Sequence, residues 1–522
     1  MTSAHGAIDS SLTVGEVDAR LYGTLVEHLG RCVYTGIHEP AHPESDERGF
    51  RLDVLELARE LGVTIVRYPG GNFVSGYRWE DGVGPVDERP VRLDLAWRSV
   101  EHNRVGTDEF VDWVRLVGAE PMLAVNLGTR GTEAALDLLE YCNVPGGTAL
   151  SARRAANGHP EPHAVSVWCL GNEVDGPWQI GQKTAEDYSK LARETAKAMK
   201  ILDPSVELVA CGSSSRAMPT FGEWEATVLE QCYPYVDFIS AHAYYEPEDD
   251  DLDSFLASAC DMDAYIDGLV ATCDHVAAKL RSPRRIDVSF DEWNVWYQSR
   301  LDATVMGSWQ EHPRLIEDTH SLADAVVVGT LLITLLRHAD RVRVACLAQL
   351  VNTIAPIMTQ PGGPAWRQTT FFPFALAARH ARSGVVLRLH ADGPRIETQR
   401  FGSVPALEAT AVWREAEGEL VILCANRDRR TPLELDLALH GFDALGVVEH
   451  VTLTGDNPYA QNTCAQPNTV RPQQLTSASV NGGRLTAPLP PLSWNLIRLC
   501  SLGARRGQHS TAAKTFAGGR PA

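Results

Sequence analysis

The sequence lacks paired cysteines. Its eleven cysteines are scattered, odd in number and without a CxxC pair. That excludes a disulfide framework or a cysteine-zinc site and leaves small core hydrophobes in a reducing compartment. Long apolar runs are also missing. The longest, AVVVGTLLITLL from Ala325, is too short to span a bilayer and suits a buried helix. Positive charge is in deficit, with 47 Lys and Arg against 67 Asp and Glu and a net charge of −20. This disfavours nucleic acid or an anionic membrane as the main partner. The first residues, MTSAHGAIDSSLTVGEVDARL, have neither a basic start nor an apolar core, so no secretory leader is read there and a cytoplasmic address is expected. Several motifs are absent as well: HExxH, a Walker loop, a GxSxG elbow, an EF-hand loop, and a GxGxxG after any early strand. No local spacing supports a metal site, and no cofactor is expected. Finally, no Asp or Glu occurs after Asp456, which reads as a neutral loop followed by a frayed tail.

What is present is a chain of 522 residues, 44% hydrophobic, long enough for a barrel-sized core and a second module. Eight β-rich apolar runs recur: 21–29, 63–69, 121–127, 165–173, 206–213, 236–245, 285–293 and 342–350. Segments of helical period lie between them, including 50–62, 185–202 (with Thr184 as N-cap) and 321–339. Strands apolar on both faces that alternate with helices imply a parallel sheet, and eight such units imply a closed (β/α)8 TIM barrel. The doubly wound open sheet is the alternative, weakened by the missing glycine fingerprint. After about residue 384 the runs become short and are separated by Gly, Pro, Asn and Asp, the pattern of an antiparallel β-sandwich, jelly-roll-like in kind. The expected division is a strand-like segment 1–18 joining the sandwich, a catalytic barrel 19–383, the sandwich 384–500 and a disordered tail 501–522.

Barrel enzymes carry their chemistry at the C-terminal ends of the strands. Those ends here hold Glu27 and His28, Arg67 and Asn72, Asn126, Asn172 and Glu173, His242 and Tyr244, Asp291 and Glu292, Gln349 and Asn352. Each has an ordinary structural reading. Glu173 and Glu292 are also capping or ion-paired carboxylates elsewhere in proteins, Glu27 has Arg31 within reach, and His242 suits a satisfied core histidine. Trp178, Trp296 and Trp366 serve equally as core or as sugar platforms, and the glycines of PGGN suit a tight turn. Together the residues say more. Burying such groups unpaired costs about 1–3 kcal/mol each, and two carboxylates on strands four and seven face each other across a barrel mouth. A carboxyl pair flanking one bond is what glycoside hydrolysis requires, one as acid and one as nucleophile or base.

The segments YGTLVEHLGRCVYTGI, VRYPGGNFVSGYRWEDGVGP, WCLGNEVDGPWQIG, SAHAYY, DEWNVWY and QLVNTIAPIMTQPGGPAWRQTTFFPF resemble glycoside hydrolase family 51, the intracellular α-L-arabinofuranosidases, from about residue 15 to about residue 500. The resemblance implies a retaining exo-acting enzyme that removes terminal arabinofuranose from hemicellulose- or pectin-derived arabino-oligosaccharides, assembled as a hexamer. It implies Glu173 as acid/base and Glu292 as nucleophile. Glu27, Asn72, Asn172 and Gln349 become ligands of the arabinose hydroxyls. Tyr244 would touch the nucleophile, His242 would lie beside it, Arg67 would stand near it, and Trp296 would help close the pocket. Departures from the family pattern, Gln182 and Pro247 among them, lie outside this set. A related glucan- or xyloside-cleaving enzyme and a non-catalytic sugar-binding barrel are the alternative readings.

Overall fold

A computed structural model describes residues 2–249, 251–301 and 309–501. Eight strands close into a parallel barrel: Gly23–Leu25, Ile65–Tyr68, Glu120–Ala124, Val167–Leu170, Glu207–Ala210, Phe238–Tyr245, Asp287–Val295 and Val342–Leu347. Six lie within the runs read from the sequence, while the third starts one residue before its run, at Glu120, and the seventh ends two residues after its run, at Val295. The predicted helices also form, at Leu52–Leu61, Ala185–Leu202 and Leu322–Arg337. Thr184 caps the second by accepting a hydrogen bond from the Asp187 amide, which satisfies one of the first-turn N–H groups left without an intrahelical partner. Ion pairs help seal the N-terminal mouth of the barrel. There Arg20 bridges Glu120 on strand three and Glu207 on strand five, at 2.7 and 2.6 Å. The opposite mouth is left for chemistry.

The second domain is one ten-stranded sheet folded over its own core of Ile8, Leu387, Ile422, Leu435, Leu485 and Ile497. Residues Thr2–Glu16 form a long strand in its middle, antiparallel to Val385–Asp392 and parallel to Leu433–His440. The parallel pairing departs from an all-antiparallel sheet. No hairpin joins the first strand to its neighbours, so no turn dictates its direction. At the other end Ser501 still pairs with Leu445, so the strand runs one residue into the segment expected to be a tail. The rest of that tail, 502–522, lies outside the described residues.

Helix Leu322–Arg337 explains the longest apolar run. It is buried from Leu322 to Leu336 because the barrel covers one side and the sheet strands Leu407–Arg414, Glu419–Asn426 and Ser493–Ser501 cover the other. Gly329 is the point of closest approach. A Cβ there would lie 2.2 Å from Cδ1 of the fully buried Trp494. Gly329→Ala should therefore overpack this interface and cost about 1–3 kcal/mol, read as an earlier urea or thermal unfolding transition. An unchanged transition would show that the indole moves aside freely.

Candidate active site

Pleating would send Asp291 and Glu292 to opposite faces of strand seven. A register shift between Ser289 and Glu292 interrupts the pairing with strand six and re-aims the side chains. Both carboxylates consequently reach the same guanidinium. Arg67 on strand two is fully buried. Its Nη1 donates to Glu292 Oε1 at 2.7 Å, and its Nε lies 3.5 Å from Asp291 Oδ2. Its Nη2 donates to Asn172 Oδ1 at 2.8 Å, and the Asn172 amide faces Asn72 Oδ1 at 3.4 Å. One side chain so ties strands two, four and seven.

Strand four ends at Leu170 and Gly171 turns the chain sharply, so that Glu173 stands at the mouth. Glu173 has φ of 43°, in the left-handed region that a residue bearing Cβ adopts at a cost of about 1–3 kcal/mol. Its carboxylate is held from both sides. Trp178 Nε1 donates to Oε2 at 2.7 Å, and His242 Nδ1 lies 2.9 Å from Oε1. His242 pairs in register with Glu292 across strands six and seven, and its Nδ1 is 3.6 Å from Glu292 Oε2. Tyr244, two residues on, presents its hydroxyl to the same Oε2 at 2.7 Å, and Trp296 packs edge-on against the Tyr244 ring. One atom each from Glu173, His242 and Glu292 lie within 4.8 Å of one another.

Glu27, just past the end of strand one, is buried. Its carboxylate accepts from the Phe73 amide and Trp97 Nε1, both at 2.9 Å, and from Gln349 Nε2 at 3.0 Å. The glycines of PGGN make this possible by their size. A Cβ on Gly71 would lie 2.2 Å from Glu27 Oε2. The alternative pairing of Glu27 with Arg31 does not form, since Arg31 bonds Glu317 at 2.7 Å.

Two buried cations balance the carboxylates. Burial alone would lower the His242 pKa. The Glu292 charge and the hydrogen bonds to Asp291 and Glu173 instead push it up to about 10. At neutral pH the ring is an imidazolium that donates from Nδ1 to Glu173 and from Nε2 to Asp291, 3.1 Å away. Asp291 stays below its ordinary range despite burial because Arg67 and His242 face it. Glu173, His242 and Glu292 form the one such His/Cys/Asp/Glu group among the described residues compact enough to hold a metal ion. Charge opposes it there, because an ion would have to displace the Arg67 and His242 contacts to gain its ligands.

Of the residues singled out from the sequence, Arg67, Asn72, Asn172, Glu173, His242, Tyr244, Asp291, Glu292 and Trp296 are joined into one network by these contacts, whereas Glu27 and Gln349 bond each other and His28 bonds Glu101 and Tyr68. Asn126 and Asn352 do not join it. Asn126 caps its own loop by accepting from the Gly128 and Thr129 amides, and Asn352 braces Arg31 and Thr359. Trp366 lies in a separate hairpin, Ile357–Thr359 with Ala365–Arg367. Trp97 was not legible from strand ends, because it sits in a loop after a short hairpin strand, Arg92–Asp94. Asp94 fixes that loop by accepting from the Ala96 and Trp97 amides at 3.0 Å each. Trp178 was legible only as an aromatic five residues past Glu173.

Burial and the nearby Glu292 charge push Glu27 from its ordinary 4.5 up to about 8, against the hydrogen bonds that favour its charged form. The sign follows from linkage. Between about 4.5 and 8 the folded chain keeps a proton that the unfolded chain has lost, so stability falls as pH rises through that window. Glu27→Gln removes this titration. The variant should show a flatter stability profile across that window than the parent, with the slopes differing by up to about 1.4 kcal/mol per pH unit. Parallel urea-unfolding profiles for the two proteins would refute it.

Comparison with known proteins agrees with this geometry. Two family models match, an α-L-arabinofuranosidase 1 domain over residues 57–265 and an α-L-arabinofuranosidase C-terminal domain over residues 291–493. An intracellular exo-α-(1→5)-L-arabinofuranosidase of Streptomyces lividans is 59% identical over 95% of this chain and 75% of its own length. An exo-α-(1→6)-L-arabinofuranosidase of Bifidobacterium longum is 52% identical over 94% of this chain and 96% of its own. Among solved structures, a family 51 α-L-arabinofuranosidase from Bifidobacterium longum superposes with a TM-score of 0.92 at 48% identity, covering 95% of this chain and 99% of that one. With its barrel, its second domain and its carboxyl pair all in place, the chain belongs to the α-L-arabinofuranosidases of glycoside hydrolase family 51.

Proposed function

We propose that the protein is a retaining, exo-acting α-L-arabinofuranosidase that removes terminal arabinofuranosyl residues from arabino-oligosaccharides. The observation that carries the retaining mechanism is the spacing of Glu173 and Glu292. Their facing atoms lie within 4.8 Å, near the roughly 5–5.5 Å of retaining enzymes and short of the roughly 6.5–9.5 Å that leaves room for a water in inverting ones. The burial of Glu27, whose carboxylate is taken up by Phe73, Trp97 and Gln349, supports exo action. The relatives' names support the sugar and the intracellular address. Assembly as a hexamer rests on family membership.

In the first step Glu292 Oε2 attacks the anomeric carbon, the bond to the aglycone oxygen breaks, and that oxygen takes a proton from Glu173. Arg67 on Oε1 and Tyr244 on Oε2 keep the nucleophile oriented. His242 Nδ1, 2.9 Å from Glu173 Oε1, holds the acid in place. In the second step Glu173 accepts a proton from water, the water oxygen bonds to the anomeric carbon, and Glu292 leaves as a carboxylate. Two displacements retain the configuration. Asn72, Asn172, Gln349 and Glu27 line the glycone side, where amides bind hydroxyls without adding charge.

The basic test is release of nitrophenol from nitrophenyl α-L-arabinofuranoside, and a folded protein that releases none would overturn the reading. Glu292→Ala should abolish turnover by at least about 10³-fold, and azide should restore release of an arabinosyl azide of inverted configuration. Glu173→Ala should spare substrates with good leaving groups and slow oligosaccharides by about 10²–10⁴-fold. Identical losses for both variants on both substrate types would reverse or remove the assignment.

A further inference from the structure

Relatives named for α-(1→5) and for α-(1→6) cleavage are both more than half identical to this chain, at 59% and 52%, so the family's glycone residues do not settle what lies beyond the scissile bond. Glu27 is buried, and its carboxylate is taken up by Phe73, Trp97 and Gln349. The rest of a substrate must therefore leave on the side of Glu173. Two residues past Glu173, Asp175 accepts from the Ser214 amide at 3.0 Å, which fastens the loop after strand five beside the acid. From that loop a groove of about 570 Å³ opens, lined by Ser215, Arg216, Phe221, Tyr244, Trp296 and Arg400. Its size is that of a small-molecule site, about 300–1,000 Å³, and more than one pentose requires. Tyr244, whose hydroxyl meets Glu292, and Trp296, which packs against the Tyr244 ring, line the groove, so the groove begins beside the nucleophile.

One wall comes from the second domain. Strands Arg395–Thr398 and Gly402–Pro405 form a hairpin, and Arg400 lies in its turn. The hairpin is pinned to the barrel, since the Arg400 amide donates to Ser254 Oγ and its Nη1 to Glu248 Oε1, both at 3.0 Å. On the barrel side Arg216 pairs with Asp261 at 2.8 Å. Both guanidinium groups are about half exposed, at 47% and 42% for their side chains. Each ion pair uses only part of the five N–H donors of an arginine.

Resting on the arabinofuranosidase reading, we propose that this groove is a distal aglycone subsite for neutral sugar residues and that Arg400 of the second domain is a specificity-determining residue within it. Free guanidinium N–H groups donate to sugar hydroxyls while Phe221 and Trp296 offer apolar faces to the rings. Glu246, Glu248 and Asp261 outnumber the two arginines along the groove, so a uronate gains nothing there and a neutral oligosaccharide fits. Reach along the substrate then belongs to the second domain, and bond cleavage to the barrel.

The test uses the full chain and three substrates: nitrophenyl α-L-arabinofuranoside, an arabinobiose and an arabinotetraose of whichever linkage the parent protein cleaves. For Arg400→Ala, the tetraose-to-biose ratio of kcat/KM should fall by about fivefold to tenfold, the loss of hydrogen bonds to a charged group. Nitrophenol release, which needs no distal sugar, should stay within about twofold and reports that the variant is folded. Arg216→Ala, on the opposite wall and away from the hairpin, should lower the same ratio. An unchanged ratio in both variants, or a nitrophenyl rate that falls in step with the tetraose rate, overturns the subsite. Failure of the parent protein on the nitrophenyl substrate would instead sink the function and the subsite with it.

Discussion

The buried guanidinium of Arg67 is the interaction on which the site depends. Taking Glu292 and Asp291 out of water is costly without a facing cation, and Arg67 with His242 holds Asp291 below its ordinary range despite burial. A lysine could supply the charge but not the shape. The three nitrogens of Arg67 are directed separately to Glu292, Asn172 and the Asp291–Cys169 side of the barrel, which needs a planar fork rather than a point charge. Removing it would leave buried carboxylates uncompensated, a loss of about 3–5 kcal/mol. It would also free Asn172 and, through Asp291, loosen the clamp that keeps the His242 ring between two acids. The strained Glu173 backbone stands at the edge of this same network, held in place by contacts from His242 and Trp178.

Much of this arrangement was legible in the sequence, for a physical reason. Parallel barrel strands are covered on both faces, so their apolar runs are unbroken and easy to count, and polarity returns only where a strand reaches the mouth. Arg67, Glu173, His242 and Glu292 stood out by that contrast. The same contrast gave no way to separate Asn172, a member of the network, from Asn126, which caps a loop. Both follow apolar strands, and only the side-chain partners distinguish them. Trp97 lay beyond such reasoning altogether. It approaches Glu27 from an excursion between strand two and its helix, and nothing in its local pattern marks the contact.

The second domain was legible as β-rich and less so in detail. Its short runs and turn residues announced strands, and the first residues were strand-like too. The direction of that first strand was not encoded locally, because its partners lie hundreds of residues away. The same holds for the junction between domains. Gly329 looks like an ordinary small residue in an apolar helix until Trp494 is set against it, and the all-apolar helix makes sense only once both of its neighbours are known.

The central place of Thr2–Glu16 in the sheet has a consequence for synthesis on the ribosome. Its two partners, Val385–Asp392 and Leu433–His440, are made hundreds of residues later. At about 5–20 residues per second, the roughly 420 residues between the first strand and the end of its later partner take on the order of 20 to 80 seconds to appear. Until Val385–Asp392 appears, the barrel can assemble while both hydrogen-bonding edges of the first strand are open, and the edge that meets Leu433–His440 stays open for the whole interval. Thr2–Glu16 is thus made hundreds of residues before its partners, and a nascent chain carries its unpaired edge until they appear.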